Sequence, residues 1–166
     1  MKERACQLLA AAVVLLLLPA SAFAQKLILV VRHAERADAG MAVEETDPRL
    51  SATGAARAQK LAVMLAEAGI TGIYASEYIR TKDTAKPLAD RLKLPVESIP
   101  SRDTAALVAS IRKKHASEIV LVVGHSSSLP LIIAAFGGPR VVVGDEDYGD
   151  LYVIVPSTGT LTRIKF

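Results

Sequence analysis

The chain has 166 residues and a formal net charge of +3 at neutral pH. This length suits one domain with a full core, and a mild positive charge without runs of lysine or arginine does not indicate a nucleic-acid partner. The single cysteine, Cys6, excludes a scaffold held together by disulfide bonds.

The first 24 residues have the pattern of a bacterial secretory signal peptide. Lys2 and Arg4 form a basic start, residues 8–18 are an apolar run too short to span a membrane comfortably, and Ala22-Phe23-Ala24 is a cleavage signal. An uncleaved N-terminal anchor is the alternative. The pattern predicts cleavage after Ala24, a periplasmic or secreted protein without stable membrane association, and one domain over residues 25–166.

The rest of the chain alternates between strand and helix patterns. Strands are predicted over residues 27–31, 72–75, 95–97 and 118–123. The first predicted helix has Ser51 or Thr53 as its N-cap and ends at residue 68, and further helices are predicted over residues 77–92, 103–114 and 129–136. Residues 151–155 and 161–166 alternate as a C-terminal hairpin. This order predicts an α/β fold, a three-layer αβα sandwich with a mainly parallel sheet and helices on both faces.

Basic side chains follow three of the predicted strands. Arg32 and His33 end the first strand, Arg80 lies one turn into the helix after the second, and His125 and Ser126 follow the fourth. Because the carboxyl ends of parallel strands meet at one edge, we expect these residues to lie close together. Two guanidinium groups bind a tetrahedral anion in a bidentate way, and a helix starting at Ser126 would add backbone N–H donors. The sequence therefore predicts a phosphate site.

His33 is the predicted nucleophile of this site. Neighbouring arginine charges disfavour the imidazolium form and lower the pKa of the ring, so a neutral imidazole with a free lone pair is expected near neutral pH. Such a ring can attack phosphorus while arginine and histidine donors stabilise the charge on the equatorial oxygens. The leaving oxygen then needs a proton from a nearby carboxylic acid.

Four segments carry a resemblance to a known family. Residues 31–35, Val-Arg-His-Ala-Glu, resemble the R-H-G/A-E signature of the histidine phosphatase (phosphoglycerate mutase-like) superfamily. Residues 50–54 are similar to its L-S/T-x-x-G helix start, and residues 74–85 resemble its S-x-x-x-R-T/A-x-x-T-A segment. Residues 122–126 resemble its V-x-H motif. The chain is identified as a small, exported bacterial member with the phosphoglycerate mutase-like fold.

The resemblance implies roles for the residues at the strand ends. His33 would be phosphorylated during turnover, and Arg32, Arg80 and His125 would bind the transferring phosphoryl group, with Ser126 beside them. No metal or cofactor is implied. The partner would be a small phosphorylated substrate.

The proton donor is where this sequence departs from one branch of the family. The acid-phosphatase branch has Asp directly after the second histidine, and Ser126 occupies that position here. Asp103 is the predicted donor, and Glu77 or another loop carboxylate is the alternative. The competing role for Asp103 is the N-cap of the third helix.

Hydrolysis is predicted rather than phosphoryl transfer within the substrate. The connections are short, which leaves the site open to water and does not favour the closed site that a mutase needs. A periplasmic phosphate- or phosphosugar-binding protein without turnover and a metallohydrolase that uses His33 and His125 are the alternatives. Sugar phosphates and phosphoproteins are both substrate classes that the sequence allows. The loops also predict an acidic rim, which comprises Glu44, Glu45, Asp47, Asp145, Glu146 and Asp147.

Overall fold

The computed structural model describes residues 26–39 and 46–166, so the predicted signal peptide lies outside the described residues. The elements are β1 (Leu27–Arg32), α1 (Ala52–Met64), β2 (Ile70–Ala75), α2 (Ile79–Leu92), β3 (Val96–Ser98), α3 (Thr104–Lys114), β4 (Ile119–Gly124), α4 (Leu129–Ala135), β5 (Asp150–Val155) and β6 (Thr160–Lys165). Among the described helices, none has the length and apolar character needed to cross a membrane.

The strands form one six-stranded sheet in the order β3-β2-β4-β1-β5-β6. The first four strands of this order are parallel to one another, whereas β5 is antiparallel to β1 and forms an antiparallel hairpin with β6 at the edge. The predicted α/β sandwich with a C-terminal hairpin is confirmed. Because β4 lies between β1 and β2, the carboxyl ends of these three strands are adjacent, and Arg32 is paired in register with Gly124.

Strand β1 is buried on both faces, which explains its unbroken apolar sequence. Ile28 and Val30 belong to the core on one side of the sheet, whereas Leu29 and Val31 belong to the core on the other. Each of the four is at most 4% exposed. Burying an aliphatic side chain of this size contributes about 1.5–3 kcal/mol, so β1 is firmly anchored up to its polar end.

Helices cover both faces of the sheet in pairs. Helices α3 and α4 supply one core with Leu107, Ile111, Leu129, Ile132 and Ile133. Helices α1 and α2 supply the other core with Leu61, Ala62, Ala85, Leu88 and Ala89. The two helix layers hold the strand ends in fixed positions.

Two helices are shorter than the sequence predicts. Helix α1 ends at Met64 instead of residue 68. The backbone N–H groups beyond it donate to the carbonyl oxygen three residues earlier, as Ala68 N does to Leu65 O at 3.1 Å, and this forms a turn in place of a continued α-helix. Helix α2 begins at Ile79 instead of residue 77, because its first amide donates to the carboxylate of Asp47 at 2.9 Å. An aspartate distant in sequence thus starts α2 immediately before Arg80.

Gly54 marks the closest approach between α1 and the loop after β1. A Cβ atom at this position would overlap the backbone carbonyl oxygen of Glu35. We expect Gly54→Ala to lower the free energy of unfolding by about 2 kcal/mol, because neither backbone can move without disturbing the site. Urea unfolding of the purified protein measures this, with the exposed Thr53→Ala as the matched control. Equal stability of the two variants would contradict the expectation.

Candidate active site

A cleft of about 340 Å³ opens at the carboxyl ends of β1, β2 and β4. Its lining includes five of the six residues predicted for the site, which are Arg32, His33, Arg80, His125 and Ser126. The remaining lining residues are Arg36, Tyr78, Ser101, Arg102, Ser127 and Asp145. The folded chain therefore brings these five residues together at one edge of the sheet.

The His33 ring is held in one tautomer. Its Nδ1 atom lies 2.8 Å from the carbonyl oxygen of Ala34, which can only accept a hydrogen bond. Nδ1 therefore carries the proton, and Nε2 keeps its lone pair. The backbone is fixed too, because the His33 amide donates to Gly124 O and the Ala34 amide donates to the Thr84 hydroxyl. Thr84 in turn donates to Arg80 O at 2.8 Å, which ties the nucleophile's strand to α2.

Burial keeps the His33 ring neutral. The residue is 4% exposed, and this desolvation, with smaller contributions from His125 and Arg32, lowers the pKa of His33 from 6.5 to about 3. The sequence predicted the direction of this shift from the arginine charges alone. Burial by the surrounding strands is the larger cause.

His125 is the second histidine of the cleft, and its ring centroid lies 5.3 Å from that of His33. Its Nε2 atom is hydrogen-bonded to the Ser76 hydroxyl at 2.8 Å, and Ser76 is bonded to Thr81 at 2.9 Å. Burial, followed by the charge of Arg80, lowers the pKa of His125 to about 4. Ser76 at the end of β2 thus orients a ring at the end of β4.

Arg32 extends from β1 beneath the loop that precedes β5. Its Nη1 donates to Gly144 O at 2.9 Å, and its guanidinium carbon lies 4.3 Å from the ring centroid of Tyr148. The Nε atom is buried without an acceptor among the described residues. A bound anion would supply that acceptor, because a buried N–H without a partner is costly.

Arg80 has the same arrangement on the opposite wall. Its guanidinium carbon lies 4.2 Å from the ring centroid of Tyr78, and its Nη1 is 3.5 Å from Asp47. Within the described part of the chain, its Nε atom is also buried with no acceptor. Two stacked guanidinium groups with unused donors thus face one cleft, as phosphate binding requires.

Asp103 is not brought into the cleft. It is the N-cap of α3, where its carboxylate accepts from the Ala106 amide at 2.8 Å. The N-cap role, which the sequence analysis gave as the alternative to proton donation, is the role observed for Asp103. The weaker candidate, Glu77, is exposed and accepts from the Ser101 amide and hydroxyl at 2.7 and 3.1 Å.

The predicted acidic rim is divided between different roles. Asp47 caps α2 and pairs with Arg80, whereas Asp145 lines the cleft itself. Asp147 accepts from the Gly144 amide at 2.8 Å within its own loop. Glu44 and Glu45 lie outside the described residues. Helix α4 begins at Leu129, as the sequence predicts, and Ser126 lies three residues before it.

Several residues of the cleft were missed by the sequence analysis. Tyr78 and Tyr148 stack on the two arginines, and Arg36 and Arg102 add positive charge to the lining. Arg36 is held by a bidentate pair of hydrogen bonds to Asp38 at 2.8 and 2.7 Å. No local pattern indicates these roles, because each depends on loops that meet only in the folded chain.

The lowered pKa of His33 has a consequence for stability. Between pH 6.5 and about 3 the unfolded chain binds a proton at His33 that the folded chain does not, so stability falls as the pH falls through this range. We expect the wild-type protein to lose roughly 1 kcal/mol per pH unit more than His33→Asn below about pH 6. Urea unfolding at a series of pH values measures the difference. Parallel stability curves for the two proteins would contradict it.

Among the described residues, no group of three or more His, Cys, Asp or Glu side chains could hold a metal ion.

Part of the chain matches the model of a known protein family. Residues 28–102 match the model of the histidine phosphatase superfamily (branch 1), a range that ends before β4 and His125. No curated protein sequence matches the chain significantly.

Solved structures share the fold across most of the chain. An Escherichia coli K-12 protein assigned as an alpha-ribazole-5'-P phosphatase is 20% identical, with a TM-score of 0.67 over 86% of this chain and 96% of its own. Phosphoserine phosphatase from Entamoeba histolytica is 14% identical, with a TM-score of 0.65 and coverage of 86% and 96%. The protein histidine phosphatase SixA is 19% identical, with a TM-score of 0.63 and coverage of 83% and 94%. The predicted resemblance to this superfamily and its phosphoglycerate mutase-like fold is confirmed.

Proposed function

We propose that this chain is a histidine phosphatase-type phosphomonoesterase that works through a phosphohistidine intermediate on His33. The observation that carries the proposal is the state of His33, a buried neutral imidazole with its proton on Nδ1, in a cleft with Arg32 and Arg80. A neutral imidazole is a competent nucleophile for phosphorus, and two guanidinium groups offset the negative charge that otherwise repels it.

In the first step, Nε2 of His33 attacks phosphorus, and the bond between phosphorus and the leaving oxygen breaks. Arg32 and Arg80 would hold the equatorial oxygens, which carry the charge of the transition state. His125 and Ser126 would donate further hydrogen bonds from the end of β4. In the second step, water attacks phosphorus, the bond to Nε2 breaks, and inorganic phosphate leaves.

The family match and the phosphatases among the structural neighbours support a phosphatase or mutase-like function. We favour hydrolysis because the cleft is open to solvent at its mouth, where the Asp145 side chain is 87% exposed. Water can therefore reach a phosphohistidine, whereas a mutase must exclude it. The predicted signal peptide further leads us to propose a substrate outside the cytoplasm, such as a sugar phosphate or a phosphoprotein.

The test is phosphate release from a panel of phosphomonoesters that includes an aryl phosphate, a sugar phosphate and phosphoserine, with binding of inorganic phosphate measured in parallel. The proposal predicts multiple turnovers with at least one ester and competitive inhibition by phosphate. Tight phosphate binding without any turnover would contradict it and favour a binding protein. The exposed Arg49→Ala variant, which lies outside the cleft, is the control for nonspecific loss of activity.

A further inference from the structure

One carboxylate lines the cleft in the described part of the chain. Among the described residues that line it, Asp145 is the only aspartate or glutamate. The other carboxylates nearby are engaged elsewhere, since Asp103 caps α3, Glu77 binds Ser101, and Asp47 binds the first amide of α2. Asp145, from the loop before β5, is therefore the carboxylate placed to donate a proton in the cleft.

Asp145 is held at the phosphate site by two of its residues. Its Oδ1 accepts a hydrogen bond from the Ser126 hydroxyl at 2.9 Å and lies 3.8 Å from Nη2 of Arg32. Ser126 directly follows His125, so both contacts come from the groups proposed to hold the phosphoryl oxygens. The carboxylate is thus adjacent to the place where a phosphoryl group would bind.

The loop that carries Asp145 is docked on Arg32 rather than free. Gly144 O accepts from Nη1 of Arg32, and the Tyr148 hydroxyl accepts from Nη2 at 3.4 Å. Within the loop, the Asp147 carboxylate accepts from the Gly144 amide. These contacts hold both ends of a five-residue segment and leave Asp145 at the mouth of the cleft. Because the buried His33 attacks from the floor, the leaving group must depart toward this mouth.

We propose that Asp145 is the proton donor to the leaving oxygen, an inference that rests on the proposed function. As Nε2 of His33 bonds to phosphorus, the electron pair of the breaking P–O bond stays on the leaving oxygen, which takes the proton of the Asp145 carboxylic acid. The resulting carboxylate then accepts a proton from the water that attacks phosphorus. The P–N bond breaks, its electron pair returns to Nε2, and the enzyme returns to its starting state.

The proton for this role can come from the substrate. An entering phosphoryl group competes with the Asp145 carboxylate for Arg32 and for the Ser126 hydroxyl. A phosphate monoester that enters with one proton can supply it to Asp145 directly.

The test compares leaving groups that do and do not need a proton. For Asp145→Asn, kcat/KM for an alkyl phosphate is expected to fall by roughly 10²–10⁴-fold. The value for 2,4-dinitrophenyl phosphate should change by no more than a few-fold, because its leaving oxygen is stable without a proton.

Two neighbouring carboxylates serve as matched controls. Glu146→Gln alters the same exposed loop without touching the cleft, and Asp103→Asn tests the donor predicted from sequence. Both should retain the wild-type dependence on the leaving group. An equal loss for both substrates in Asp145→Asn, or a uniform gain that reflects easier phosphate entry, would overturn the inference. A wild-type protein without any turnover would instead contradict the proposed function.

Discussion

Replacing His33 with alanine is expected to abolish turnover, with kcat lowered by roughly 10⁴-fold or more. The nucleophile forms the bond to phosphorus in the first step. The other histidine among the described residues of the cleft, His125, has its Nε2 engaged by the Ser76 hydroxyl. Binding of inorganic phosphate should persist, because Arg32 and Arg80 remain. Steady-state kinetics and calorimetric titration with phosphate measure the two effects separately.

His115 provides the matched control for that experiment. It is the remaining histidine of the chain, and it packs against Tyr74 and pairs with Glu118 at 2.8 Å, away from the cleft. His115→Gln should keep the kcat of the wild-type protein. Substantial turnover by His33→Ala would contradict the assignment of the nucleophile, whatever the effect on stability.

Replacing Arg80 with alanine is expected to lower kcat/KM by roughly 10²–10³-fold, with kcat affected as well as substrate affinity. The reason is the charge that builds on the phosphoryl oxygens in the transition state, which a guanidinium in a desolvated site stabilises strongly. Arg80→Lys should recover only part of the loss, because an ammonium group neither stacks on Tyr78 nor donates in a bidentate way.

The control for this arginine lies on the same side of the domain. Arg49 is exposed and pairs with Asp83 of α2 at 3.3 Å, but it does not line the cleft. Arg49→Ala should therefore leave kcat/KM within about two-fold of wild type, since exposed ion pairs contribute little. An Arg80→Ala variant with the same small effect would remove Arg80 from the phosphate site.

The basic residues of the site could be predicted because their position follows from the sheet. Each follows an apolar strand pattern, and parallel strands bring their carboxyl ends to one edge whatever the details of the loops. Arg32, His33 and His125 are therefore fixed by topology alone. The position of Arg80 also depends on where the helix after β2 starts. This helix starts at the same edge, because Asp47 accepts a hydrogen bond from its first amide.

The carboxylate of the cleft could not be predicted in the same way. Asp103 has a clear local signal, but that signal belongs to the start of a helix, and an N-cap accepts from the backbone of its own helix. Asp145 lies in an irregular loop, and only the docking of that loop on Arg32 brings it to the cleft. Contacts between loops distant in sequence leave no periodic pattern in either segment.

Detection of the covalent phosphohistidine intermediate is the most direct test of the proposed mechanism. The protein is mixed with a ³²P-labelled phosphomonoester, quenched in alkali within milliseconds and digested, and the labelled peptide is identified. The proposed mechanism predicts a phosphohistidine on His33 that is stable in alkali and lost in acid. It should form at least as fast as phosphate is released, and it should be absent in His33→Ala. Turnover without any labelled protein, or label on another residue, would contradict it.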